Sequence, residues 1–190
     1  MKQLTIHRLI RKAVISGALL LAGQGIVLAQ FAATGTTTLS VAVSAESALS
    51  VTTSTTSLTE ATGAGTFGAP FTGTTNFSYK VRSTKVGGGG SITVKITSDF
   101  GSGGPSVASP PTGDAMTYSC TTATSATACT GPVTASTTAA TSVATFATDA
   151  HSTAGAGNSD AGTVTWSLPN DPIYKTGTYT ATATFTISAT

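Results

Sequence analysis

The sequence predicts an all-β protein: a single antiparallel β-sandwich, immunoglobulin-like in layout, that follows a cleaved N-terminal signal peptide. Three observations predict it. Apolar and polar residues alternate with a period of two over several short stretches, which puts every second side chain on one face of a strand. Only 8% of the 190 residues are charged, and Thr, Ser, Ala and Gly dominate. Low charge with many β-branched residues favours strands over disorder. Gly, Pro and Ser clusters separate the alternating stretches, and after the leader no stretch sustains a helical period.

The leader is read from Lys2, Arg8, Arg11 and Lys12, followed by an apolar run from Ala13 to Ala29. Val27, Leu28 and Ala29 then supply the small or apolar residues of a cleavage site, the order of a secretory signal. A spanning helix needs about 20 strongly apolar residues, and this glycine-containing run is shorter. Cleavage after residue 29 leaves residues 30–190 as one β-sandwich domain with no transmembrane segment. That product holds Lys80, Arg82, Lys85, Lys95 and Lys175 against seven acids, a formal charge of −2. No basic cluster exceeds Lys80, Arg82 and Lys85, so a nucleic acid partner is not expected.

The elements follow in order. Residues 36–45 read TTTLSVAVSA, with Leu39, Val41, Val43 and Ala45 on one face, and the same parity returns at Leu49 and Val51. The spacing predicts one long strand or two colinear ones. Residues 52–75 read as a Thr/Ser/Gly-rich loop with one weak strand at most. Phe77, Tyr79 and Val81, then Gly87 to Gly90, then Ile92, Val94 and Ile96 predict a hairpin packed on one side. Residues 101–114 read as a loop, Met116, Tyr118 and Cys120 as a short strand, and Val143 to Ala147 as another. Residues 151–162 form a further loop. Val164, Trp166 and Leu168 share a face, with Trp166 expected in the core, and Pro169-Asn170-Asp171-Pro172 makes a turn. The last strand is the most regular: Tyr179, Ala181, Ala183, Phe185, Ile187 and Ala189 oppose a face of Thr178, Thr180, Thr182, Thr184 and Thr186.

Cys120 and Cys129 are the two cysteines of the chain. In an exported domain they read as a structural disulfide, which closes the loop Thr121–Ala128 and contributes about 2–3 kcal/mol. A redox pair normally has CxxC spacing, and a zinc site requires two more ligands. Gly63-Ala64-Gly65-Thr66-Phe67-Gly68 matches GxGxxG, but Pro70 follows and no helix pattern does, so no dinucleotide is expected. His151 is the sole histidine after residue 29, in a loop with Asp149; no GxSxG elbow accompanies it, and it reads as a solvated loop residue. Asp149, Asn158 and Asp160 lack EF-hand spacing and read as loop solvation rather than calcium ligands. Asn76-Phe77-Ser78 is a glycosylation sequon that matters only in a eukaryotic secretory pathway. No catalytic set, cofactor or metal is expected.

TTTLSVAVSAESALSV near residue 36 and GTYTATATFTIS at the end resemble the corresponding ends of spore-coat-U-like secreted pilins, within the chaperone–usher class of bacterial fibre subunits. The chain departs from that pattern at Ala48 and Leu49, where a cysteine is expected in the first strand region. The resemblance implies a homopolymer in which an N-terminal extension completes a neighbour's sandwich, with a periplasmic chaperone as a second partner. Residues 30–45 would then be a donor strand with Leu39, Val41, Val43 and Ala45 as its inserted side chains. The other reading is an ordinary first strand paired within its own domain. The expected product is thus a non-enzymatic secreted or cell-surface structural protein. The alternative is a secreted module that binds a carbohydrate or a surface partner, for which Phe67, Phe71, Phe100 and Tyr174 are the loop aromatics.

Overall fold

The computed structural model of the chain describes residues 35–61, 67–153 and 155–190. The leader expected over residues 1–29 and most of the GxGxxG match lie outside them. The chain divides into two units, Met1–Val41 and Ala42–Thr190. The described part of the first, residues 35–41, contains no strand.

The second unit holds ten strands among the described residues: β1 (Glu46–Val51), β2 (Thr59–Glu60), β3 (Phe71–Arg82), β4 (Gly90–Ser98), β5 (Thr117–Thr122), β6 (Thr127–Ala128), β7 (Val133–Thr134), β8 (Thr141–Phe146), β9 (Asp160–Leu168) and β10 (Thr182–Ala189). They form two antiparallel sheets. One runs β1-β3-β9-β5-β7, with β2 also on β3, and the other runs β10-β4-β8-β6. The fold is therefore all-β, with two sheets packed face to face.

Parity explains the packing. In β3 and β9, Phe77, Tyr79, Val81, Val164, Trp166 and Leu168 point inward and are buried. From the opposite sheet come Ile92, Val94, Ile96, Val143 and Phe146. Full burial of such side chains contributes about 1.5–3 kcal/mol each. The ring centroids of Tyr118 and Trp166 lie 5.2 Å apart. The Trp166 indole N–H donates to Thr75 Oγ1 at 2.9 Å, so the largest core side chain leaves no polar atom unpaired.

Three predicted elements are corrected. Phe77–Val81 and Ile92–Ile96 do not make a hairpin: β3 pairs with β1 and β9, whereas β4 pairs with β10 and β8 in the other sheet. Both strands have an apolar inner face, and alternation is the same whether two strands lie side by side or face each other. The strand expected at 36–45 begins instead at Glu46. β3 ends at Arg82, which is the register partner of Glu46, so residues before 46 have no ladder to join. The last strand begins at Thr182, not near Tyr179, because β4 ends at Ser98, opposite Thr182. In addition, β3 starts at Phe71, inside the stretch read as loop, and the two-residue strands β2, β6 and β7 carried no readable period.

Gly88 and Gly90, in the stretch expected to connect that hairpin, sit in a tight seat. A Cβ on Gly88 would meet the Thr84 and Thr190 carbonyl oxygens at 2.3 and 2.5 Å, and one on Gly90 would meet the Ser188 carbonyl oxygen at 2.1 Å. Thr190 N donates to the Gly89 carbonyl at 2.9 Å, which fixes the end of β10 against the start of β4.

Candidate functional site

The two lateral edges of the sandwich are built differently. At one, the outermost strands β7 and β6 have two residues each. There Cys120, in β5 of one sheet, is bonded to Cys129, which follows β6 of the other. The S–S length is 2.05 Å and the Cα atoms are 5.5 Å apart. The disulfide reading of these cysteines thus holds, and the bond staples the two sheets together. Inside the closed loop, Ser125 donates to the buried carboxylate of Asp160, and the Tyr79 hydroxyl lies 3.0 Å from Ser125 Oγ. Burial raises the Tyr79 hydroxyl above its ordinary range, and its Ser125 contact opposes that shift.

At the opposite edge the outermost strands are β1 and β10, six and eight residues long. They lie beside each other, with Cα atoms within 8 Å. Among the described residues no strand pairs with β10 on the side away from β4. β10 reads TATFTISA and contains neither charge nor proline. Natural edges are usually blunted by shortness, charge, proline or a bulge away from the centre. The β6/β7 edge has the shortness; β10 has no such protection over Ala183–Ala189. Its inner residues are incompletely covered: Ala183, Phe185, Ile187 and Ala189, with Leu49 of β1, pack on the core but stay partly buried. The Phe185 ring reaches inward to 5.9 Å from Phe77. Val51, on the inner parity of β1, is 40% exposed. The edge is thus an unpaired row of backbone donors and acceptors above a half-covered apolar seam.

The candidate assembly residues are not in a strand. Leu39, Val41 and Val43 are 90%, 85% and 64% exposed, and Ala45 is partly buried. All four share the parity of Ser47, Leu49 and Val51, the residues of β1 that face the core. The last residues before β1 are held by Arg82: its Nε donates to the Ser44 carbonyl at 2.8 Å, and its guanidinium pairs with Glu46 at 3.0 Å.

The other candidates are scattered. His151 is exposed, its Nδ1 lies 2.8 Å from the Asp149 carbonyl oxygen, and its backbone forms an isolated bridge with Arg82. Asp160, read as a solvated residue of the 151–162 loop, is instead buried at the start of β9, where it accepts from Ser125, and Asp149 sits at a turn with φ of 58°. Among the described residues, no three His, Cys, Asp or Glu side chains are placed to hold a metal ion. Asn76 lies exposed on the outer face of β3, its side-chain amide donating to Thr53 Oγ1 at 3.1 Å.

One constellation was not legible in the sequence. Asp114, buried at the end of the 101–114 loop, accepts a hydrogen bond from the Tyr174 hydroxyl at 2.9 Å. Burial and the neighbouring Asp171 raise the Asp114 carboxyl, against the lowering effect of Tyr174. Burial, then Asp114 and Asp171, push the Tyr174 hydroxyl far above its usual range. Asp114 and Asp171 lie 57 positions apart, and only the fold brings them to one cleft, with Phe67, Pro70, Pro169, Asn170 and Pro172.

Among the described residues no helix is long and apolar enough to cross a membrane. Compared with known proteins, the chain matches no family model, no curated protein and no solved structure.

Proposed function

We propose that the chain is a non-catalytic structural subunit, exported to the cell surface, that assembles into a fibre by β-strand addition. The observation that carries this reading is the pairing of an unprotected strand edge with an unpaired strand-like segment in one chain. β10 offers main-chain hydrogen bonds and a half-covered seam formed by Leu49 and Phe185. Residues 36–45 offer an uncharged, proline-free alternation whose apolar residues stand exposed. Strand addition satisfies both: backbone groups pair along the edge, and Leu39, Val41 and Val43 of one copy cover the seam of the next. Each of these side chains gains about 1.5–3 kcal/mol if fully buried, less the cost of ordering the segment.

The resemblance of the two ends to spore-coat-U-like pilins supports the same reading, as does the leader-like start. In that reading the sandwich is immunoglobulin-like, the leader is removed near Ala29, and a periplasmic chaperone holds the open edge before assembly. The segment joins another copy rather than serving as a first strand of its own sheet.

The test is sedimentation and electron microscopy of the chain beginning at Gln30, beside a variant lacking residues 30–45. The full chain is expected to form filaments. The shortened one is expected to stay monomeric or chaperone-bound while keeping its β-sheet spectrum. A full chain that remains monomeric at high concentration, in cells without fibres containing it, defeats the proposal.

A further inference from the structure

We propose that the cleft between the Phe67–Pro70 and Pro169–Pro172 segments binds a neutral sugar ring. The cleft measures ≈ 390 Å³ and is lined by Phe67, Pro70, Asp114, Pro169, Asn170, Asp171 and Pro172. Its walls have the composition of a small-ligand site, apolar surface with a few convergent polar groups. Phe67 is 64% exposed and presents an aromatic side chain at the rim. Three prolines flank it and fix their own φ, so the walls lose little freedom on binding.

The polar groups are held in place with capacity to spare. Asn170 Nδ2 donates to Glu60 Oε1 at 3.3 Å, which leaves the amide oxygen as an acceptor. Asp171 Oδ1 accepts from the Ile173 backbone N–H at 2.8 Å, and its carboxyl neighbours that of Asp114 in the same cleft. Tyr174 fixes Asp114 from behind through Oδ2 at 2.9 Å. A sugar ring supplies what this arrangement lacks: C–H faces for an aromatic surface and hydroxyl donors for carboxylate and amide oxygens.

Other ligand classes fit less well. No basic side chain lines the cleft, so an anion gains no counter-charge. A metal ion meets two carboxyl groups, one of them already committed to Tyr174. The site lies in loops at the end of the sandwich and does not depend on strand addition.

The experiment uses the whole chain from Gln30, with Phe67→Ala and Asp171→Asn variants. All three are applied to an array of immobilised neutral and sialylated oligosaccharides. The strongest neutral binder is then titrated by calorimetry. Wild-type protein is expected to bind a neutral oligosaccharide, and each variant to lose about tenfold or more in affinity. Thermal midpoints and filament formation are expected to stay as in wild type, which separates this site from assembly. The proposal is overturned if no neutral glycan binds at millimolar concentration, if only sialylated glycans bind, or if affinity survives both substitutions.

Discussion

At the scale of single residues, polar side chains fix the loops that the sheets cannot. The Asp99 carboxylate accepts hydrogen bonds from the backbone N–H groups of Val107, Ala108 and Phe100 and from Ser106 Oγ, all within 2.8–3.1 Å. Partial burial alone would raise its pKa, but these four donors outweigh burial and hold it below the usual carboxylate value. A lowered folded-state pKa adds stability above the unfolded carboxylate pKa, and that stability disappears as pH falls through the folded value. Asp99→Asn is therefore expected to lower stability by about 1–3 kcal/mol at neutral pH, with the gap from wild type narrowing in acid. Urea melts at several pH values check it. Thr75→Val is expected to cost a similar amount, about 1–3 kcal/mol, because it strands the buried Trp166 N–H while preserving volume. Trp166 itself was legible in the sequence, because parity with Val164 and Leu168 sets its face. The roles of Asp99 and Gly90 were not, because each depends on backbone brought near by the fold.

At the scale of elements, what decides a strand is whether a partner remains. Residues 36–45 have the period and propensity of a strand, yet β3 has ended at Arg82 before they could pair. The same logic starts β10 only at Thr182, opposite Ser98, the last residue of β4. Alternation showed which side chains point inward in β3, β4, β9 and β10, because period two belongs to the strand itself. It could not show that β3 and β4 lie in opposite sheets, since that depends on the path of the connecting residues. The Gly seat ties β4 to the end of β10, so Gly90→Ala is expected to destabilise by about 1–3 kcal/mol through its clash with the Ser188 carbonyl. A thermal melt measures it. Replacing both Cys120 and Cys129 with Ala should cost about 2–3 kcal/mol in denaturant melts, from the entropy of the short loop.

At the scale of the whole molecule, the sandwich has one stapled edge and one open edge. The disulfide and the short strands β6 and β7 close the first. The second presents β10 without charge or proline, over residues that remain partly buried. An edge of that kind is a template for another strand, and the chain carries a segment of matching character at residues 36–45. The most direct test is hydrogen exchange along β10 in the variant lacking residues 30–45, whose edge stays open, with and without a synthetic peptide of residues 36–45. Added peptide is expected to slow exchange at the amides of Ala183–Ala189 that face away from β4, leaving those paired with β4 unchanged. Unaltered exchange along β10 at saturating peptide, or protection confined to another strand, contradicts assembly through this edge.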